Sequence, residues 1–138
     1  MKNLFITKWL SVVIIMCVVS VVCAVSANKN FGYEYSGNIG PYKVVFRQEF
    51  FNMPEYGPTY SFCYRYLTKR VNKGDWIFCT RIWNEGSYEI WHEWINEKHT
   101  GTFKIKIDQG KSIRGSFTNS KGKRFKVYAR CAGHWGNI

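Results

Sequence analysis

The chain has 138 residues and a formal net charge of +11 at pH 7, because 20 Lys and Arg residues outnumber 9 Asp and Glu residues. This length excludes a second domain, and the sequence contains no linker, no low-complexity tract and no convincing internal repeat. A charge balance this basic indicates an anionic partner or surface.

The first 27 residues have the pattern of a secretory signal peptide. Lys2 and Lys8 flank the start of an apolar run, Trp9 to Val25, and small side chains follow it up to Ala27. We therefore expect cleavage after Ala27 and a periplasmic or secreted location, with one β-barrel-like domain over residues 28–138. The alternative is an uncleaved membrane anchor, since the apolar run of about 15 to 17 residues is only slightly shorter than the ~20 that cross a bilayer.

The rest of the chain consists of short alternating segments separated by Gly, Asn, Asp and Pro, which is typical of an all-β protein. Eight strands are predicted, over residues 31–36, 42–51, 59–67, 76–83, 87–95, 101–108, 112–117 and 124–131. Short turns and half-buried strands favour a small antiparallel meander closed into an up-and-down barrel, preceded by a hydrophobic signal helix. A two-sheet β-sandwich is the alternative.

Three cysteines follow the predicted signal peptide, namely Cys63, Cys79 and Cys131. In an oxidising compartment a disulfide is the default expectation. Cys63 and Cys79 lie on consecutive predicted strands and would bridge if the register places them opposite each other on the same face. Cys131 is then a buried small side chain or a partner for one of the other two.

The positive charge is concentrated in the last third of the chain. Residues 98–130 contain ten Lys or Arg residues and one acid, Asp108, whereas residues 28–97 sum to zero. The residues expected to form a basic binding face are Lys104, Lys106, Lys111, Arg114, Lys121, Lys123, Arg124, Lys126 and Arg130. This face predicts contact with anionic lipid headgroups, acidic glycans or an acidic protein, and export disfavours nucleic acid. Equally, such lysines keep a small β-protein soluble.

The domain carries more aromatic side chains than its core needs. Tyr64, Trp76, Trp91 and Trp94 are candidates for lining a cavity, which gives an alternative function as a carrier of a small apolar ligand inside the barrel.

No constellation in the sequence indicates catalysis, and neither a metal nor a cofactor is predicted. The segment that begins at His92 starts like a zinc-protease motif but has Asn96 where the second His belongs. Glu89 and Glu93 share one strand face, about 13 Å apart, which exceeds the separation of a glycosidase pair. Pairing with basic residues on a neighbouring strand is the expected role of both. We therefore expect a non-enzymatic binding module.

Four segments, YSGNIGPYKVVF, SFCYRY, YEIWHEWINEKHTGTFKI and SIRGSFTNSKGKRFKVYA, resemble small secreted or lipid-anchored bacterial β-domains of unassigned function. The resemblance covers most of the chain after the signal and implies the compartment and the fold, with no catalytic residue. The TGTF and GSFTN segments are also similar, more weakly, to lipocalin- and avidin-type barrels.

Overall fold

The structure, a computed structural model, describes residues 31–53, 57–67 and 75–136. The predicted signal peptide lies outside these ranges. The described chain forms eight strands, which are β1 (Phe31–Ile39), β2 (Tyr42–Met53), β3 (Gly57–Tyr66), β4 (Ile77–Glu85), β5 (Tyr88–Ile95), β6 (Lys98–Asp108), β7 (Ser112–Asn119) and β8 (Arg124–Trp135). In this part of the chain there is no helix with the length and apolarity to span a membrane.

Each strand pairs antiparallel with the next one, and β8 pairs with β1 to close the barrel. The predicted up-and-down barrel is therefore confirmed, and the two-sheet sandwich is not the fold. Closure pairs each strand with a neighbour on both sides, and the shortest pairing among the described residues is that of β3 with β4, with three residue pairs. Paired edges are protected from pairing with another chain.

Most strands are longer than predicted, and for β1 and β6 the reasons are local. β1 continues through Gly37, beyond its predicted end at residue 36. A Cβ at this position would overlap the Tyr128 carbonyl oxygen of β8, so the close approach of the two strands requires glycine. β6 begins before Gly101 because Asn96 and Glu97 form a two-residue turn with φ of 50° and 65°. Positive φ at both positions is what a tight hairpin requires.

The barrel centre is filled by rings from opposite walls. Phe103 on β6 contacts Phe46 on β2 at 6.1 Å between ring centroids, and contacts Phe62 and Tyr64 on β3 at 5.6 and 5.3 Å. All four side chains are fully buried. Inward-facing aromatic and aliphatic residues thus form the core, and the alternate residues of each strand face outward.

The register between β3 and β4 rules out the predicted Cys63–Cys79 bridge. Cys63 pairs with Phe78, and Cys79 pairs with Phe62, so the two cysteines are offset by one residue and point to opposite faces of the wall. Both are unbridged, as is Cys131. Burial raises the pKa of the Cys63 thiol to about 12, with the Arg47 charge opposing part of that rise.

Candidate functional site

The outward side chains of β6, β7 and β8 form a basic face, because the register aligns them in rows. Lys104 lies beside Ser116, which lies beside Lys126. The next row contains Lys106 and Arg114. The six strand residues predicted for the binding face all point outward from these three strands, namely Lys104, Lys106, Arg114, Arg124, Lys126 and Arg130.

The other three predicted residues lie in turns at opposite ends of the barrel. Lys111 is in the β6–β7 turn, where its carbonyl accepts a hydrogen bond from the backbone of Cys131. Lys121 and Lys123 are in the β7–β8 turn, where Asn119 accepts a bond from the backbone amide of each. The basic face is therefore a strip along the barrel axis with a lysine-bearing turn at each end.

Few acidic groups oppose this charge within the described residues. Lys104 forms an ion pair with Glu85 on β4, with 3.0 Å between Nζ and Oε1. Arg130 donates instead to the Tyr128 hydroxyl at 2.9 Å. In the described part of the chain, the other strand cations of this face, Lys106, Arg114, Arg124 and Lys126, have no ion pair.

A shallow depression of about 400 Å³ lies where the basic face meets the outer surface of β4 and β5. One register row crosses it, from His92 through Thr102 and Thr118 to Arg124. The lining residues belong to five consecutive strands and are Trp83, Glu85, Ile90, His92, Thr102, Lys104, Ser116, Thr118 and Arg124. The depression therefore has an aromatic side on β4 and β5, hydroxyl groups on β6 and β7, and one cation each on β6 and β8.

The aromatic side of the depression is exposed. Trp83 is 55% exposed and meets the His92 ring edge-on at 6.4 Å. His92 stacks on His99, with ring centroids 3.8 Å apart. Burial, and then the neighbouring His99, lower the pKa of His92, so the His92 imidazole favours the neutral form.

The four aromatic residues predicted to line a cavity do not lie together. Tyr64 and Trp91 point inward and are buried in the core. The prediction is wrong for Trp94, which is 40% exposed on the outer surface and donates to the Thr80 hydroxyl. It is also wrong for Trp76, which lies outside the barrel against outward-facing Arg47. Trp91 and Trp94 are an odd number of residues apart, so a strand sends them to opposite faces.

Glu89 and Glu93 both point into the barrel, where they meet side chains of β3. Glu89 accepts hydrogen bonds from the Tyr60 hydroxyl and the Trp91 indole, and Arg81 on β4 lies 3.8 Å from it. The predicted pairing with a basic residue is thus confirmed for Glu89. Its pKa is raised by burial, and the hydrogen bond from Trp91 opposes that rise.

Glu93 departs from this prediction. It is 4% exposed and accepts hydrogen bonds from Tyr64 and from Thr100, the latter at 2.6 Å. Within the described residues it has no ion pair. Burial raises the pKa of the Tyr64 hydroxyl above its ordinary value, and the nearby Glu93 adds to the rise, so Tyr64 stays a donor. Hydroxyl donors thus replace the expected cation.

Arginines on the β2–β3 wall also have partners. The Arg47 guanidinium lies 4.4 Å from the Trp76 ring and 5.1 Å from the Trp135 ring, and it forms an ion pair with Glu34 at 3.3 Å. The Arg65 guanidinium also lies over this indole, 5.0 Å from the Trp76 ring. These cation–π contacts were not predicted from the sequence, because no local pattern places Trp76 beside either arginine.

No group of three or more His, Cys, Asp or Glu side chains converges on a metal site among the residues that the structure describes. The depression was also not predicted from the sequence. It joins five strands, and only their register shows that His92, Thr102 and Arg124 share one row. The feature of the sequence that points to this depression is Trp83, a large aromatic residue at the end of the predicted fourth strand.

No protein-family model matches this chain, and searches of curated proteins and of solved structures found no similar one.

Proposed function

We propose that the protein is a non-enzymatic binding module that engages an anionic macromolecule or surface through the basic face of β6, β7 and β8. Removal of residues 1–27 and export would bring it to an envelope surface or the extracellular space. The observation that carries the proposal is the alignment of Lys106, Arg114 and Lys126 on one outer face without ion pairs in the described part of the chain. Clustered cations of this kind attract polyanions.

The alternative, a carrier of an apolar ligand inside the barrel, has less support. Phe103 touches rings of β2 and β3 across the centre, so the described side chains themselves occupy that space. Tyr64 and Trp91, which would face such a ligand, are buried against these rings and against buried carboxyl groups.

Two double variants with equal loss of charge test the proposal in the full-length chain. Lys106→Gln/Arg114→Gln removes two charges from the basic face. Lys43→Gln/Lys98→Gln removes one exposed charge from β2 and one from the first residue of β6, which is not among the nine residues of the basic face. Binding is measured to polygalacturonate and to phosphatidylcholine vesicles with or without phosphatidylglycerol, over a range of salt concentrations.

We expect binding to at least one polyanion, with affinity that falls steeply as salt rises. The Lys106/Arg114 variant should bind about tenfold more weakly, and the Lys43/Lys98 variant should bind nearly as well as the wild type. Binding that is absent or independent of salt would contradict the proposal. An equal loss of polyanion affinity in the two variants would also contradict it. Every variant has the same N-terminal segment, so the contribution of this segment cancels when the vesicle affinities of the variants and the wild type are compared.

A further inference from the structure

We propose that the depression beside the basic face binds a short segment of an acidic glycan, with one sugar ring on Trp83 and anionic substituents of the segment on Lys104 and Arg124. This inference rests on the proposed function, because it names the class of the anionic partner. It concerns a separate group of residues from Lys106 and Arg114, so the two proposals are tested by different variants.

Trp83 supplies the surface for the sugar ring. Its indole is more than half exposed on the outer side of β4, where it adds nothing to the core. A large exposed aromatic group at the rim of a depression marks a contact surface, because it leaves apolar area in water. A pyranose ring has a flat face of C–H groups, which packs on an indole, and a rim of hydroxyls, which needs polar neighbours.

Hydroxyl groups on β6 and β7 provide those polar neighbours. Thr102 and Thr118 pair in register between β6 and β7, and Ser116 lies one outward position along from Thr118 on β7. A hydroxyl group both donates and accepts, as sugar hydroxyls do. Thr102 Oγ1 also lies 3.0 Å from His99 Nε2. These three side chains match a hydroxyl-rich ring better than a lipid chain, because a lipid chain offers them no hydrogen bond.

The two cations lie at different places in the depression. Lys104 is on β6, in the register row of Trp83 and Ile90, and its ammonium group contacts Glu85 on β4. Arg124 pairs with Thr118 at the β8 end of the row that begins at His92. Three strand spacings separate the two ends of this row, a span of about 14 Å, which accommodates more than one sugar ring. The planar guanidinium suits carboxylate and sulfate groups, since it offers two parallel donors.

Glu85 adds a hydrogen-bond acceptor to the depression. Its carboxylate lies 3.0 Å from Lys104 Nζ. A sugar hydroxyl can donate to this carboxylate, whereas the sugar–phosphate backbone of DNA has no hydroxyl groups along the chain to do so. The mixture of one acid, two cations and three hydroxyls thus suits a polymer that carries both charges and hydroxyls.

The test uses four probes with the full-length protein. These are oligogalacturonate, its neutral methyl ester, sulfated dextran oligosaccharides, and a single-stranded oligodeoxythymidine of matched charge. Affinity is measured by titration calorimetry, and the indole N–H resonance of Trp83 is followed by NMR after assignment from Trp83→Ala. We expect one or both acidic oligosaccharides to bind and to shift this resonance. Comparison of oligogalacturonate with sulfated dextran distinguishes recognition of carboxylate from recognition of sulfate.

The variants separate this inference from the proposed function. Trp83→Ala and Arg124→Gln should each weaken binding of the acidic oligosaccharide about tenfold or more, as removal of a contact at a binding centre does. Phe78→Ala, which removes another exposed ring of β4 outside the depression, should have little effect. Trp83→Tyr should restore most of the affinity, because a ring face remains.

The inference is overturned if neither acidic oligosaccharide binds, or if Trp83→Ala binds them as the wild type does. It is also overturned if the oligonucleotide, and not the saccharides, shifts the Trp83 resonance. Should the Lys106/Arg114 variant still lose polyanion binding in any of these cases, the proposed function stands and the glycan site alone is wrong.

Discussion

Arginines on the two sides of this barrel have different surroundings. On the β2–β4 side, Arg47 is stacked between two indoles and paired with Glu34, and Arg81 lies beside Glu89. On the β6–β8 side, Arg114 and Arg124 are exposed and, within the described residues, have no ion pair. The difference indicates that the first group contributes to folding and that the second is available to a partner.

The same contrast separates the inner and outer faces of β5. Glu93 points inward and depends on hydroxyl donors, whereas the side chains of His92 and Trp94 point outward. Changes on the inner and paired side should therefore cost stability, and changes on the outer basic side should cost binding. Three further predictions test this division.

The largest effect is expected for Tyr64→Phe. This change removes a hydroxyl donor from Glu93, whose buried carboxyl group then has Thr100 as its remaining described partner. An unsatisfied buried group of this kind lowers the free energy of unfolding by about 2–3 kcal/mol. Urea unfolding followed by tryptophan fluorescence gives the value.

Tyr60→Phe is the matched control for this prediction. It removes the equivalent donor from Glu89, which keeps the indole of Trp91 and the nearby Arg81. The loss should be smaller, about 1 kcal/mol. If the two variants lose equal stability, then the hydroxyls do not compensate for a missing cation at Glu93.

Arg47→Gln should have an intermediate effect. It removes the cation–π contacts with Trp76 and Trp135 and a half-exposed ion pair with Glu34. Together these contribute about 1–2 kcal/mol to the free energy of unfolding. Arg114→Gln, which makes the same chemical change on the basic face, should alter stability by less than about 0.5 kcal/mol. Equal values in chemical denaturation would remove the distinction between paired and available arginines.

The sequence was sufficient to predict which side chains face inward and which face outward. It was not sufficient to predict which residues of other strands they contact. Alternation in β6 predicted that Phe103 and Ile105 face inward and that Lys104 and Lys106 face outward, and the closed barrel follows from short turns between such strands. Alternation also predicted the basic face. The face to which a side chain points depends on its odd or even position along the strand, and not on which strand lies opposite.

Register was needed for everything that spans two strands. Cys63 and Cys79 would share a face if the β3–β4 pairing moved by one residue, and no local pattern decides this. The depression beside Trp83 and the cation–π contacts of Trp76 likewise join residues from several strands. Partners of Glu93 were missed because tyrosine and threonine hydroxyls occur throughout the sequence and carry no charge signal.

The smallest effect concerns the pH dependence of the inner side. Burial raises the pKa of Glu89 above its ordinary value of 4.5. Between the unfolded and the folded pKa, the folded protein therefore binds more protons at this site than the unfolded chain, and stability falls as pH rises. Below the ordinary value both states are protonated, and above the folded pKa the loss is complete.

Glu89→Gln removes this titration and keeps an oxygen that can accept from Tyr60 or Trp91. The free energy of unfolding of the wild type minus that of the variant should therefore decrease as pH rises from about 4 and then become constant. Asp108→Asn changes an exposed carboxyl group at the end of β6 and is the control. A difference that stays flat or increases with pH would mean that Arg81 stabilises the Glu89 carboxylate more than burial disfavours it. In that case Glu89 would belong with the ion-paired residues of the wall, beside Arg47, and not with the buried, hydroxyl-bonded Glu93.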